Sequence, residues 1–130
     1  MLRKLSLALT VSALITSSAA AQKTLDAAKK TWTGLWEGPV WHMGENDPIG
    51  GYRLEIAHDT AWKVSIDVIT QQTVSAKASD FAPDGNRATW NAALMGMTCK
   101  TSAAVDGDVL KGETTCGEHG GLTFTLKRKQ

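Results

Sequence analysis

The chain has 130 residues, of which 42% are hydrophobic and 21% charged, and its formal charge is +1. That length suits one domain with a modest core. The near-neutral balance excludes the broad basic surface of a nucleic-acid binder, because the one basic cluster, Lys127-Arg128-Lys129, is a short tail.

Residues 1–21, MLRKLSLALTVSALITSSAAA, combine Arg3 and Lys4, an apolar run from Leu5 to Ile15 and a small-residue end at Ala19-Ala20-Ala21. This is the pattern of a secretory signal peptide, with cleavage expected before Gln22. The apolar run is well short of the roughly twenty residues a membrane span requires. Removal would leave twelve Lys and Arg against thirteen Asp and Glu. The expected location is periplasmic or secreted, with no integral membrane segment once the signal is gone. Cys99 and Cys116 both lie in the exported part, where a single disulfide is the default.

Residues 22–30, QKTLDAAKK, are the helix-friendly stretch, too short to be stable without packing on something. From Thr31 the hydrophobic period is two. GYRLEIAH puts Tyr52, Leu54, Ile56 and His58 on one face, and WKVSIDVI does the same with Trp62, Val64, Ile66 and Val68. Turn signals at ENDPIGG, HDT, PDGN, DGD and GEHGG separate such runs. The spacing predicts about eight strands near 31–42, 50–58, 62–69, 72–79, 86–94, 97–104, 109–116 and 121–128. The fold class is therefore all-β: one domain over 31–130, an antiparallel up-and-down barrel with no exposed edges, preceded by a short helix at 22–30. A β-sandwich is the alternative.

The segment CKTSAAVDGDVLKGETTC reads as a hairpin. A two-residue turn at Gly107-Asp108 pairs Asp106 with Val109 and brings Cys99 opposite Cys116 at a non-hydrogen-bonded position, where side chains approach closely. A turn at Asp106-Gly107 would slip this register by two residues.

Three of the five tryptophans fall within TWTGLWEGPVW. A helical reading of Trp32 and Trp36 is broken by Gly34, Gly38 and Pro39, so both are placed on the inner face of the first strand with Gly34 between them. Trp41 points outward unless Gly38-Pro39 forms a bulge. The last strand carries Leu122, Phe124, Leu126 and Arg128 on one face. An even strand count brings Arg128 to the same barrel end as Trp36, where its guanidinium can stack on the indole.

At these residues the chain resembles the calycins, the superfamily of lipocalins, fatty-acid-binding proteins and avidins. Their G-x-W corresponds here to Gly34-Leu35-Trp36, and their late arginine to Arg128. The resemblance implies that Arg128 covers Trp36 where a short N-terminal helix plugs the barrel. The segment DGDVLKGETTCGEHGGLTFTLKR also resembles the ends of small exported bacterial barrel domains. The chain is shorter than true lipocalins and lacks the polar set that avidins use for biotin.

Trp32, Gly34, Trp36 and Arg128 are thus assigned to structure. Trp41, His42 and Met43 lead into a loop at the opposite, open end, and with Tyr52 and Trp90 they form the expected ligand-contacting set. His42 and His119, with Glu45, Asp47 or Glu118, could complete a metal shell, but exposed loop histidines are commoner and no metal is assigned. No G-x-S-x-G, P-loop, Rossmann glycines or H-E-x-x-H occurs. With paired cysteines unable to act as nucleophiles, neither an enzyme nor a cofactor is expected. The leading expectation is an exported module binding a small apolar or amphipathic ligand at its open end. A calycin-type inhibitor of exported proteases, acting through the tail Gln22-Lys23-Thr24, is the second. A structural or accessory interaction domain without a small-molecule ligand, with an exported protein as its partner, is the third.

Overall fold

The computed structural model describes residues 19–130, without the His119 side chain. Of the expected signal segment 1–21, residues 1–18 lie outside the described part. The helix α1 covers 19–32, longer at both ends than the 22–30 expected. Leu25, Ala28 and Trp32 share its inward stripe, and Trp32 is fully buried. The Thr33 amide closes the last turn onto the Lys29 carbonyl at 3.0 Å. Gly34 then takes φ +137°, a backbone region that L side chains rarely adopt, and turns the chain into the first strand.

Trp32 is therefore the last helical residue and does not belong to a strand, which corrects the expected start of the first strand at 31. The breakers invoked against a helix all lie beyond it, at Gly34, Gly38 and Pro39. They end the helix without preventing it.

Eight strands follow: β1 (Gly34–His42), β2 (Gly50–His58), β3 (Trp62–Ile69), β4 (Thr73–Asp84), β5 (Arg87–Leu94), β6 (Met97–Asp106), β7 (Val109–Thr115) and β8 (Gly121–Lys129). Each pairs antiparallel with its neighbour in sequence, and β1 pairs with β8 to close the barrel. Closure rules out the sandwich. The register of β1 against β2 is unbroken through Gly38 and Pro39, so no bulge forms there and Trp41 points outward.

The strand expected at 72–79 runs five residues further, to Asp84, through a register break between Ser79 and Ala82. Val74, Ala76 and Ala78 alternate inward, and unbroken alternation would put Asp80 in the core. Asp80 instead adopts a left-handed φ of +56°, and its carboxylate accepts a hydrogen bond from Asn91 Nδ2 at 3.1 Å. The extra residue shifts the parity so that Phe81 faces inward. Its ring meets those of Trp62 at 4.9 Å and of Trp32 and Trp90 at 5.9 Å.

The predicted hairpin forms with Asp106 opposite Val109 and Gly107 at φ +62°, as a type II′ turn requires. Cys99 and Cys116 are disulfide-bonded with their Cα atoms 4.3 Å apart.

Large side chains occupy the bore: Trp36, Tyr52, Trp90 and Phe124 are each at most 1% exposed. Tyr52 and Phe124 stack at 4.2 Å. The edge of the Phe124 ring also lies against Gly112, where a Cβ would stand 2.4 Å from its Cζ. On the same inner wall the hydroxyls of Thr101 and Thr114 hydrogen-bond at 2.7 Å. Small residues at Ala88, Ala92 and Ala103 accept these rings, the interlocking of large and small side chains by which a narrow barrel packs solid.

Candidate functional site

The up-and-down order gives the barrel two chemically different ends. One receives α1, the start of β1 and the end of β8, together with the turns after β2, β4 and β6. Here Arg128 Nη1 donates to the Thr33 carbonyl at 2.5 Å and Nη2 to that of Thr31 at 2.8 Å. Its Nε meets Asp108 Oδ1 at 3.3 Å, and its guanidinium carbon sits 4.2 Å from the Trp36 ring centroid. Trp36 Nε1 donates to the Trp32 carbonyl, and Trp32 Nε1 to that of Gly85, each at 3.1 Å.

The Arg128 Nη1 and Nη2 donors and the Trp36 Nε1 serve carbonyls at the C-terminal end of α1 that have no partner within the helix, and a cation there also meets the negative end of the helix dipole. Trp32, Gly34, Trp36 and Arg128 thus seal this end. Gly34 lies directly beneath the arginine stem, with a Cβ there 3.4 Å from Nη1.

The other end is formed by residues 43–49, 70–72, 95–96 and 116–120. Of the three exposed large hydrophobic residues among those described, Met43 and Met95 lie at this end's cleft, Met95 being 79% exposed, while Ile69 ends β3 on the outer wall beside Arg53 and Lys129. A cleft of about 170 Å³ opens at this end, lined by His42, Leu94, Met95, Met97, Cys116, Leu122 and the backbone of Gly120 and Gly121. Most clefts along the outer wall instead include charged side chains such as Arg87, Lys111, Glu113 and Arg53. The open-end loops carry Glu45, Asp47 and Glu118 and neither lysine nor arginine. The surface is therefore an apolar patch with an acidic surround.

Backbone bonds hold this surface in place. The Met43 amide donates to the Gly121 carbonyl at 2.9 Å, the Ile49 amide to Val40 at 2.8 Å and the Cys116 amide to Gly120 at 3.1 Å. The disulfide anchors the segment that carries Cys116 to β6.

Of the five residues expected to contact a ligand, His42 lines the cleft and Met43 stands at its rim. Trp41 is half-buried on the outer wall, paired with Thr123 of β8. Tyr52 and Trp90 are enclosed in the bore and reach neither end of the barrel's surface. The Tyr52 hydroxyl and the Trp90 Nε1 have no hydrogen-bond partner among the described residues. Burial pushes the Tyr52 phenol well above its ordinary range. Leu94, Met95, Met97 and Leu122 were not anticipated. The one local signal was Met95-Gly96-Met97, a methionine where a tight turn ordinarily has asparagine, aspartate or glycine.

The fold and this geometry define a closed eight-stranded antiparallel barrel, sealed at one end by a helix and presenting an apolar cleft at the other. Comparison with family models, with curated proteins and with solved structures returned no match.

Proposed function

We propose that the chain is a calycin-like exported binding module that takes the apolar part of an amphipathic ligand in the open-end cleft. The observation that carries this reading is the gathering of exposed apolar side chains at one barrel end. Contiguous exposed apolar surface is a mark of binding sites, whereas scattered apolar residues are not. The cleft, at about 170 Å³, is smaller than the roughly 300–1,000 Å³ of pockets that engulf a whole small molecule. The bore behind it is filled, so the ligand enters by an alkyl chain or a single apolar group. The acidic loops favour a neutral or positive head group.

Support for the calycin likeness comes from Arg128 over Trp36 beneath a helical plug, and support for export from the disulfide. Gln22, Lys23 and Thr24 lie within α1 at the sealed end, far from the cleft, so the binding surface and the N-terminal segment are separate elements.

The test uses dodecyltrimethylammonium and dodecyl sulfate below their micellar concentrations, followed by amide NMR on the disulfide-bonded protein. The expected result is saturable shifts at His42, Leu94–Met97 and Gly120–Leu122, stronger with the cationic amphiphile. Shifts spread over the whole barrel, or none, would overturn the reading.

A further inference from the structure

We propose that the open end also binds one soft monovalent metal ion, Cu(I) or Ag(I), through the thioethers of Met43, Met95 and Met97 and the imidazole of His42. The chain has four methionines, and every one that follows the expected signal segment stands at this barrel end. Met95, Met97 and His42 line one cleft. Met43 reaches its wall, since a Cβ on Gly121 would stand 2.9 Å from the Met43 Cε. These donors come from the end of β1 and the loop after it, and from the β5–β6 turn and the start of β6, and the fold alone brings them together.

A second, independent observation concerns Met95 itself. Met95 and Gly96 have φ of +53° and +78°, the pair of left-handed residues that defines a type I′ turn. The first of these positions suits asparagine, aspartate or glycine, and a methionine there bears steric strain. Core packing does not explain the residue, because it is 79% exposed. Strain of this kind persists where a function uses the side chain. What methionine offers that asparagine does not is a soft, polarisable sulfur donor.

The donor set selects the ion. Thioethers favour soft d¹⁰ cations such as Cu(I), while imidazole accepts several metals and hard ions prefer oxygen. Cys116 also lines the cleft, but its sulfur is committed to the disulfide, so the thioethers carry the soft character. The absence of lysine and arginine from these loops, together with Glu45, Asp47 and Glu118, makes the local field favourable to a cation. No redox step is involved: the ion binds and leaves in one oxidation state.

The test titrates silver nitrate, in chloride-free buffer, into disulfide-bonded protein carrying [¹³C-methyl]methionine, with native mass spectrometry for stoichiometry. The expected result is one bound ion and saturable shifts of the Met43, Met95 and Met97 methyl signals. The Met95→Leu, Met97→Leu double variant keeps the cleft apolar and should weaken silver binding by at least about tenfold. Dodecyltrimethylammonium binding is measured separately on the parent protein, so failure of the metal site and failure of the amphiphile reading are told apart. Unchanged silver affinity in the double variant, or no saturable methyl shift in the parent protein, would overturn the proposal. The intact disulfide and an unchanged near-ultraviolet circular dichroism spectrum would certify the variant's fold.

Discussion

The guanidinium carbon of Arg128 lies 4.2 Å from the Trp36 ring centroid while its nitrogens hold the Thr31 and Thr33 carbonyls. One side chain therefore joins the last strand to the first and both to the helix between them and solvent. Arg128→Ala should cost about 2–3 kcal/mol, since it removes charge-assisted hydrogen bonds as well as the stack. Arg128→Lys should recover only part, because an ammonium cannot span two carbonyls and lie flat on a ring. Trp36→Ala should cost about 3–5 kcal/mol by opening a large cavity. Urea unfolding of the single and double variants measures the coupling, expected to exceed about 0.5 kcal/mol. Strict additivity would mean that Arg128 serves the helix alone and gains nothing from the indole.

Tyr52 is the chain's single tyrosine, so its ionisation can be followed directly by absorbance at 295 nm. In the folded protein burial raises its pKa above the ordinary value of 10.0. From about pH 10 upward the unfolded chain sheds the phenolic proton while the folded chain keeps it. The unfolded state then binds fewer protons, and this group's share of stability falls by up to about 1.4 kcal/mol per pH unit. The native protein should show little tyrosinate at pH 11 until it unfolds. Tyr52→Phe should flatten the alkaline loss and leave neutral-pH stability equal or up to about 1 kcal/mol higher, because the hydroxyl has no hydrogen-bond partner among the described residues. A normal titration midpoint in folded protein would contradict this.

Much of the barrel could be read from period-two alternation because most strands bury one face and expose the other. The β6–β7 register followed from turn chemistry at Gly107, and the Cys99–Cys116 pairing followed from the register. The errors have physical sources. Trp32 was misplaced because parity along Thr31–Trp41 continues smoothly through a helix end, and four-residue spacing suits both a helix face and a strand face. Phe81 was missed because the parity change at Asp80 depends on a single left-handed residue, which no hydrophobic pattern announces. Tyr52 and Trp90 were assigned to a ligand because inward-facing aromatics look alike whether a bore is open or filled. The cleft itself was largely illegible: His42 and Met95 line one cleft only after the barrel closes.

The disulfide closes a 17-residue separation and anchors the cleft wall at Cys116. Replacing both cysteines by alanine should cost about 3 kcal/mol. It should also raise hydrogen exchange over Cys116–Gly121 and β6, more than at the Arg128 end. Thiol titration of the denatured, unreduced protein should find no free thiol. Two reactive thiols per chain would exclude the bond.

Met95 is where stability and binding should part company. Its left-handed φ of +53° sits in a turn whose second residue, Gly96, is already ideal. Met95→Asn supplies a side chain that tolerates this conformation, and it removes an exposed apolar surface with no packing role. Unfolding free energy should rise by about 0.5–1 kcal/mol. A substitution that only relieves strain would leave the open end functionally unchanged. If Met95 is retained for binding, the more stable variant should instead bind dodecyltrimethylammonium and silver more weakly than the parent, the trade expected where a strained residue serves a site. Calorimetric unfolding and the two titrations, run on the same preparation, decide between these. Higher stability with both affinities intact would return Met95 to the status of a tolerated imperfection in a turn.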